Sequence, residues 1–485
     1  MTKRKSAAKK SSDRRPESQK AFQGKKPSKL IRPLSRGAEA AAEDDFRTFR
    51  DLKLSLWQSA VEEVVAESTP VAAVRGRGPS RPTSVTDEAV RGSVMVRSAN
   101  ALAAALDEGH ALSEPSLAAA RGERGAVATA VTCSKLALQL AWAKATGDTQ
   151  AVHKLQEELT FSSCDALWAK CVERYLLYFQ KNKGSIPYRS GGDYVLDVAV
   201  PNNAVVAIFG DWGTGSDFAV ALLEQIGRKK PDIVFHLGDI YYSGTQTEVQ
   251  NRFVDICGRV LGNTPVFSLS GNHDMYSGGA GFYWLVDKLK QRASYFCLHN
   301  DHWQFQAMDT GYNDYNPFTV SSNVTSLTKT EAAWHQERLQ EAKAAGRRTV
   351  LLSHHQLFTA YDSIGSEAVN GLLLSVFKDL LDAVSIWFWG HEHDLAIYEP
   401  YMGLERGRCV GCSAIPVLVE SNRAPKFDTP LVSDPVNSGQ PIQLGDNGTV
   451  YNHGYAIMSL QGAKASVAYY QDTDEDNPLY VESIT

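Results

Sequence analysis

Five short polar motifs follow strongly apolar runs between residues 204 and 393 of this 485-residue chain. Each places a side chain that can bind a metal beside glycine or serine; they are Gly210-Asp211-Trp212-Gly213, Gly238-Asp239-Ile240-Tyr241-Tyr242, Gly271-Asn272-His273-Asp274, Ser353-His354-His355 and Gly390-His391-Glu392-His393. Carboxylate, amide, phenolate and imidazole groups are hard or borderline donors, which suit manganese, iron and zinc. The motifs together supply enough donors to predict a site for two metal ions.

Two metal ions about 4 Å apart can clamp the attacking and leaving oxygens of an in-line displacement at phosphorus, and they lower the pKa of bound water. Lysine and arginine are sparse near the motifs, so the cations would have to neutralise most of the phosphate charge. The donor set therefore favours hydrolysis of a phosphoester.

The elements that must position these motifs alternate between short apolar runs and amphipathic helices. The runs, which predict strands buried on both faces, are 204–209, 233–235, 266–269, 349–352 and 385–389. Helices are expected between them, as at 216–229 and 330–345. This alternation predicts a layered α/β fold with a mixed sheet. Because ligands in such folds gather outside the carboxyl ends of strands, the five motifs are expected in one cleft.

The first 37 residues have a different composition. They carry thirteen lysines and arginines against Asp13 and Glu17, whereas the whole chain has a formal net charge of -5. With almost no aliphatic clusters, this segment is predicted to be a disordered basic tail. The tail could contact nucleic acid, but a solvated tail is favoured because aromatic residues for base stacking are not interleaved with its charges.

Residues 38–185 show helical periodicity and contain no catalytic constellation. Helices are predicted at about 96–107, 124–146, 149–160 and 163–180, the third with Asp148 and Thr149 as capping residues. This region could be a lid, an oligomer contact or a partner-docking surface, and the sequence does not choose among these. Residues 186–485 are predicted to form the α/β domain.

Composition gives an expectation of location. With 43% hydrophobic and 22% charged residues, the chain is typical of globular proteins. It contains no apolar run long enough for a transmembrane helix and no apolar core of a signal peptide. Seven scattered cysteines fit a reducing compartment, so a cytoplasmic location is expected. The pair Cys409 and Cys412 is interpreted as part of a strand returning to the core.

The motif series resembles that of the calcineurin-like metallophosphoesterases, over about residues 200–460. Tyr242 stands three residues after Asp239, and Gly213 stands where many relatives carry a metal-binding histidine. These two features, with the flanking Tyr242-Ser243-Gly244, are similar to the purple acid phosphatase branch of tartrate-resistant type. The resemblance implies a metallophosphoesterase-type αββα sandwich with mixed sheets.

Residue by residue, the resemblance implies two metal sites. Its ligands are Asp211, Tyr242 and His393 for the first ion, Asn272, His354 and His391 for the second, and Asp239 bridging both. Since tyrosine ordinarily titrates near pH 10, a phenolate ligand needs a strongly charged ion. This favours iron, in the ferric state, at the first site, and the second ion could be iron, zinc or manganese.

The resemblance also implies roles in catalysis. A metal-bound hydroxide would attack phosphorus, and His273 would protonate the leaving alkoxide as general acid. Asp274 would either orient the His273 ring or cap a turn. Of the paired histidines, His354 matches the ligand, which leaves His355 to contact another ligand or the substrate.

The leading functional hypothesis is a dinuclear metal-dependent phosphomonoesterase resembling acid phosphatases. A phosphodiesterase acting on cyclic nucleotides or other diesters is the alternative within the same chemistry. An alternative of another class is a non-catalytic interaction module on the same fold, which the filled set of donor positions disfavours.

Overall fold

The structure is a computed structural model. It describes residues 148–162, 165, 171, 174, 175, 178, 179, 183–317, 323–419, 424–435 and 439–485. The predicted tail at 1–37 and the predicted helices at 96–107 and 124–146 lie outside the described residues.

The described residues contain twelve strands that form two six-stranded sheets. The strands are β1 Val205–Phe209, β2 Ile233–His236, β3 Val266–Ser268, β4 Phe296–His299, β5 Trp303–Ala307, β6 Arg348–Leu352, β7 Val384–Trp389, β8 Leu395–Ile397, β9 Gly407–Val410, β10 Gly454–Gln461, β11 Lys464–Gln471 and β12 Tyr480–Ile484. The first sheet has the order β12-β11-β10-β1-β2-β3, and the second has the order β4-β5-β6-β7-β9-β8. All five apolar runs predicted as strands are strands.

Helices flank these strands. They are α1 Thr149–Leu159, α2 Asp217–Arg228, α3 Gln246–Val249, α4 Asp255–Leu261, α5 Asn272–Met275, α6 Ala280–Lys288, α7 Lys329–Ala344 and α8 Gly371–Phe377. A π-helical turn, Gln250–Val254, joins α3 to α4. The predicted helices near 216–229 and 330–345 correspond to α2 and α7. Ser216 caps α2 by accepting from the backbone of Ala219, which is why that helix begins there.

Alternate residues of each central strand face different layers. Val206 and Ile208 of β1 join the core between the two sheets, where they meet Phe305 and Val350 of the second sheet. Ala207 and Phe209 face the other way, against a core that includes Leu222, Leu223 and Ile226 of α2. A third core packs Leu339, Leu373 and Phe377 of α7 and α8 on the outer face of the second sheet. These layers explain why the strands are apolar on both faces.

Both sheets are mixed. In the first, β1, β2 and β3 pair in parallel, while β10 pairs antiparallel to β1. In the second, β5, β6, β7 and β9 are parallel, with antiparallel β4 and β8 at the edges. The predicted layered α/β fold with mixed sheets is therefore confirmed for the described residues. The parallel strands bring their carboxyl ends, and the motifs that follow them, to one side of the sandwich.

Helix α1 lies where the sequence predicts a helix at 149–160, and Asp148 caps it by accepting from the backbone of Ala151. It contacts the α/β layers through polar pairs. His153 Nε2 lies 3.1 Å from Asp217 Oδ2 at the start of α2, and the buried Glu158 accepts from Asn447 at 3.4 Å.

In the part of the chain that the structure describes, no helix combines the length and apolar character needed to cross a membrane.

The buried carboxyl group of Glu331, in α7, makes the stability of the fold sensitive to pH. It accepts from the backbone of Asp309 at 2.8 Å and from the Tyr188 hydroxyl at 2.7 Å. Burial raises the pKa of Glu331 from about 4.5 to about 8. The fold thus favours the neutral acid, whose stabilising contribution is complete below about pH 4.5 and is lost as the pH rises through about 8.

We therefore expect Glu331→Gln, which resembles the neutral acid, to gain stability relative to the wild-type protein as the pH rises. The measurement is the free energy of unfolding in urea at about pH 5 and about pH 8. Most of the stabilising contribution of the neutral Glu331 side chain is lost between these two pH values. Glu337→Gln, at a position 63% exposed on the same helix, is the control and should leave the pH dependence unchanged. Parallel pH profiles for the wild-type and Glu331→Gln proteins would contradict the expectation.

Candidate metal centre

Six of the seven predicted ligands, all but Tyr242, lie within four residues of the ends of parallel strands. Asp211 follows β1, Asp239 follows β2 and Asn272 follows β3 in the first sheet, whereas His354 follows β6 and His391 follows β7 in the second. Their side chains meet between the carboxyl edges of the two sheets. The donor atoms of Asp211, Asp239 and His354 lie within 4.8 Å of one another, as do those of His354, His355 and His391.

One group of donors surrounds the amide oxygen of Asn272. Its Oδ1 lies 3.1 Å from His354 Nε2 and 3.0 Å from His391 Nδ1. Asp239 Oδ2 lies 3.5 Å from the same His354 nitrogen. The Asn272 amide nitrogen donates to the Tyr276 hydroxyl at 2.6 Å, which turns the oxygen toward the histidines. The structure thus brings together all four residues predicted for the second ion.

The protonation of these histidines bears on what they can bind. His354 Nδ1 lies 3.0 Å from the carbonyl of Leu237, which only accepts, so this nitrogen carries the proton and Nε2 presents a lone pair. Burial, followed by the neighbouring histidines, lowers the pKa of both His354 and His391 well below the ordinary value. A neutral His354 therefore directs its lone pair at the oxygen of Asn272. Two acceptors at this distance repel each other unless a cation lies between them, so these residues fit a metal ion.

A second group of donors surrounds the carboxylate of Asp211. Asp211 Oδ1 lies 3.4 Å from His393 Nε2 and accepts from the Tyr241 hydroxyl at 2.9 Å. The same hydroxyl lies 3.1 Å from His393 Nε2. Asp211 Oδ2 accepts from the backbone of His391 at 2.8 Å, which links the two groups of donors. Oxygens of Asp211 and Tyr241 and a ring nitrogen of His393 thus face one another.

The tyrosine in this group is not the predicted one. Tyr242, predicted from the spacing of the second motif, donates its hydroxyl to Asp165 Oδ2 at 2.5 Å. Its ring stacks on that of Phe161, with centroids 4.7 Å apart. The hydroxyl beside Asp211 belongs to Tyr241. The structure differs from the prediction at this position because Asp165 and Phe161 hold Tyr242 on the other side of the segment.

The electrostatics also favour bound cations. Asp239 is buried, and burial, followed by the charges of Asp211 and Asp274, raises its pKa well above the ordinary value. Burial, followed by the charges of Asp211 and Asp239, raises the pKa of Tyr241 well above its ordinary value. Each of these shifts disfavours a negative charge on a group that would be anionic as a ligand. Cations placed among the groups would reverse the effect.

Three of the predicted ligands have an unusual backbone. The φ angles are 57° at Asp211, 74° at Asp239 and 68° at His391, all in the left-handed region. This region is uncommon for residues other than glycine and costs roughly 1–2 kcal/mol per residue. Such strain clusters at functional sites, where the surrounding structure holds it in place.

Glycines beside the carboxylates make room for them. A methyl group at Gly390 would lie 2.5 Å from Asp211 Oδ2, and one at Gly271 would lie 2.0 Å from Asp239 Oδ1. At Gly213, where many relatives carry a metal-binding histidine, it would lie 2.6 Å from the backbone of Ile240. Position 213 therefore cannot carry a histidine in this backbone arrangement.

The predicted acid, His273, lies against the same centre. Its Nδ1 lies 2.7 Å from the carbonyl of Tyr242, and its Nε2 lies 4.0 Å from Asp239 Oδ2. Burial lowers the pKa of His273 to about 3. Asp274 does not orient this ring through these contacts; its Oδ2 accepts from the backbones of Gly271, at 2.8 Å, and Asp239, at 3.0 Å. The contacts of Asp274 are those of a turn-capping carboxylate. The ring of His273 is oriented by the carbonyl of Tyr242.

His355 is adjacent to the donors but both of its ring nitrogens have protein partners. Nδ1 lies 3.0 Å from Thr310 Oγ1 and Nε2 lies 3.0 Å from Asp314 Oδ2. Its ring centroid is 4.4 Å from that of His391. His355 therefore packs against a predicted ligand.

Sequence reasoning missed four residues of this centre. They are Tyr241, Tyr276, Thr310 and Asp314. Tyr241 lies inside the second motif, but the family spacing of three residues after the aspartate points to Tyr242. The other three contact ligands or their neighbours from loops, and no motif marks them.

The sequence of this region matches a known family. Residues 204–395 match the family model described as calcineurin-like phosphoesterase, a range that contains all five motifs. This part of the chain is therefore similar in sequence to calcineurin-like phosphoesterases. No curated protein matches the chain.

Several solved structures are similar in fold. A purple acid phosphatase, PPD1, from seeds of yellow lupin (Lupinus luteus) is 14% identical with a TM-score of 0.44, over 59% of this chain and 55% of that one. A dimetal phosphatase from Danio rerio is 14% identical with a TM-score of 0.39, over 58% of this chain and 98% of that one. GAP50 of Plasmodium, an anchor in the inner membrane complex, is 11% identical with a TM-score of 0.40, over 58% and 89%. The chain spans about half the length of the lupin protein, and these similarities concern the fold alone.

The close approach of Gly271 to Asp239 can be tested directly. The backbone of Gly271 has a φ of -104°, which alanine adopts readily, so Gly271→Ala acts through its methyl group alone. We expect this methyl group to displace the Asp239 carboxylate and to lower both bound metal and phosphatase activity. The measurements are metal content by mass spectrometry and hydrolysis of p-nitrophenyl phosphate.

Gly258→Ala in α4 is the matched control, because a methyl group there meets no atom within 4 Å. It should keep the metal and the activity. Full metal content in Gly271→Ala would show that Asp239 tolerates the methyl group and would contradict the expectation.

Proposed function

We propose that the metallophosphoesterase domain hydrolyses phosphomonoesters with two metal ions. The first ion would be held by Asp211, His393 and a tyrosine oxygen, with iron favoured there. The second, iron, zinc or manganese, would be held by Asn272, His354 and His391, and Asp239 would bridge the two. The observation that carries the proposal is the lone pair of His354 Nε2 directed at Asn272 Oδ1, 3.1 Å away and beside Asp239.

When bound, two such ions supply a water of lowered pKa and positive charge for the phosphoryl oxygens. The residues of the chain hold and orient the other reacting groups. Asp239 accepts from the backbone of His273 at 3.0 Å, so the predicted acid is attached to the predicted bridging ligand. The carbonyl of Tyr242 accepts from His273 Nδ1, and Nε2 would give a proton to the leaving alkoxide once the negative charge of a bound phosphate favours the protonated ring.

The preference for monoesters rests on the resemblance of the motif series to the acid phosphatase branch. A phosphodiesterase acting on cyclic nucleotides is the competing activity within the same chemistry. The two activities separate when p-nitrophenyl phosphate, bis(p-nitrophenyl) phosphate and a cyclic nucleotide are compared as substrates.

The proposal predicts that Asp239→Asn abolishes hydrolysis, because a bridging carboxylate loses the charge that holds both ions. Metal content and the rate of p-nitrophenyl phosphate hydrolysis are measured together. Asp232→Asn is the matched control, since Asp232 precedes the same strand but is exposed and accepts from the backbone of Val205. If the wild-type protein binds no metal when metal is supplied and hydrolyses none of the three substrates, the proposal is wrong and an interaction module is favoured.

A second prediction concerns the proton given to the leaving group. His273→Asn keeps a donor for the carbonyl of Tyr242 but removes the proton-transfer group. We expect kcat for an alkyl phosphate to fall about 100-fold or more, the usual contribution of general acid catalysis. For p-nitrophenyl phosphate, whose leaving group needs little protonation, the fall should be much smaller. His299→Asn, at an exposed position, is the control, and an equal loss on both substrates would exclude the acid role.

A further inference from the structure

Two adjacent tyrosines, Tyr241 and Tyr242, are both buried but send their hydroxyls to different partners. The hydroxyl of Tyr241 lies between Asp211 Oδ1, at 2.9 Å, and His393 Nε2, at 3.1 Å. Both partners belong to the donor set of the first ion. The oxygen of Tyr241 is thus already placed among the groups that would surround this ion.

Tyr242 is held elsewhere by several contacts. Its hydroxyl donates to the buried carboxylate of Asp165, which also accepts from the backbone of Phe161 at 2.8 Å. Its ring stacks on that of Phe161, with centroids 4.7 Å apart, and the Arg252 guanidinium lies 5.4 Å from the centre of each of the two rings. A hydrogen bond to a buried carboxylate and an aromatic stack would both have to break before Tyr242 could turn toward Asp211.

The backbone of the segment is fixed as well. Arg252 donates to the carbonyl of Tyr241, and the backbone of Tyr242 donates to Glu248 at 2.7 Å. The carbonyl of Tyr242 accepts from Cys171 at 3.0 Å. If the two side chains exchanged places, the backbone would have to give up its hydrogen bonds with Arg252, Glu248 and Cys171.

The residues that hold Tyr242 precede the region that matches the family. Phe161, Asp165 and Cys171 all lie before residue 204, where the match begins. The family spacing, in which the tyrosine stands three residues after the aspartate, carries no information about them. This explains why the motif assigns Tyr242 while the structure brings Tyr241 to Asp211.

We infer that Tyr241, and not Tyr242 at the family position, supplies the tyrosine oxygen of the first metal site. The inference rests on the proposed function, since it requires a metal centre at Asp211 and His393. On binding, the Tyr241 phenol would release its proton to solvent and the oxygen would bind the ion. Tyr242 would remain a phenol hydrogen-bonded to Asp165.

The test uses the full-length chain freed of metal by chelation and then titrated with Ga(III), a redox-inert substitute for ferric iron. Deprotonation of a tyrosine on binding produces an ultraviolet difference band of tyrosinate. Tyr241→Phe should lose this band, and Tyr242→Phe should retain it at the intensity of the wild-type protein. The two variants are matched controls, because each removes one buried hydroxyl from neighbouring positions.

Loss of the band in Tyr242→Phe, or its retention in Tyr241→Phe, would overturn the inference. The Tyr242→Phe arm decides the matter even if Tyr241→Phe fails to fold. Absence of the band in a wild-type protein that binds Ga(III) and hydrolyses phosphoesters with its native metals would overturn the inference and leave the proposed function intact. A wild-type protein that neither binds metal nor hydrolyses phosphoesters would overturn both.

Discussion

Mutual repulsion between two buried carboxyl groups, Asp211 and Asp239, is the constraint around which the centre is organised. Both follow parallel strands of the first sheet, and their donor atoms lie within 4.8 Å of each other and of His354. Burial and this proximity raise the pKa of Asp239, so two negative charges in this space need positive charge between them. Metal ions would supply it, and the imidazoles, kept neutral by burial, are suited to bind them.

The backbone is adapted to the same constraint. Left-handed residues at Asp211 and Asp239 turn the chain sharply after each strand, so the carboxylates point across the sheet edge. Glycines lie against their oxygens at positions 271 and 390, where a methyl group would collide. The free energy that the strained turns cost is offset by the cores on both faces of the two sheets.

The sequence predicts the layered fold well because its signal is repeated. Strand β1 is apolar at every position, as expected in a sheet covered on both faces, and each predicted motif follows a largely apolar strand. The predicted ligands of the second ion are also brought together, since Asn272, His354 and His391 each follow directly from a strand end. For these residues, the strand that precedes a side chain largely determines where it lies.

Tyr242 and Asp274 show what local sequence patterns leave undetermined. Spacing alone could not distinguish Tyr242 from Tyr241, because the choice depends on Asp165 and Phe161, which lie about 80 residues earlier. The role of Asp274 depends on whether its carboxylate faces a ring or two backbone amides, and both are within reach of a residue beside His273. The orientation of such side chains depends on their three-dimensional contacts, which a local sequence pattern does not predict.

The contacts around Tyr242 limit how far the chain can be shortened without a change at the metal site. A polypeptide beginning at residue 204 would keep every motif residue but would lack Phe161, Asp165 and Cys171. The Tyr242 hydroxyl would lose its carboxylate acceptor, at a cost of about 1–3 kcal/mol for a buried donor left without one. A shortened protein could then rearrange its two tyrosines and present a different metal site from that of the whole chain, although the two share all five motifs.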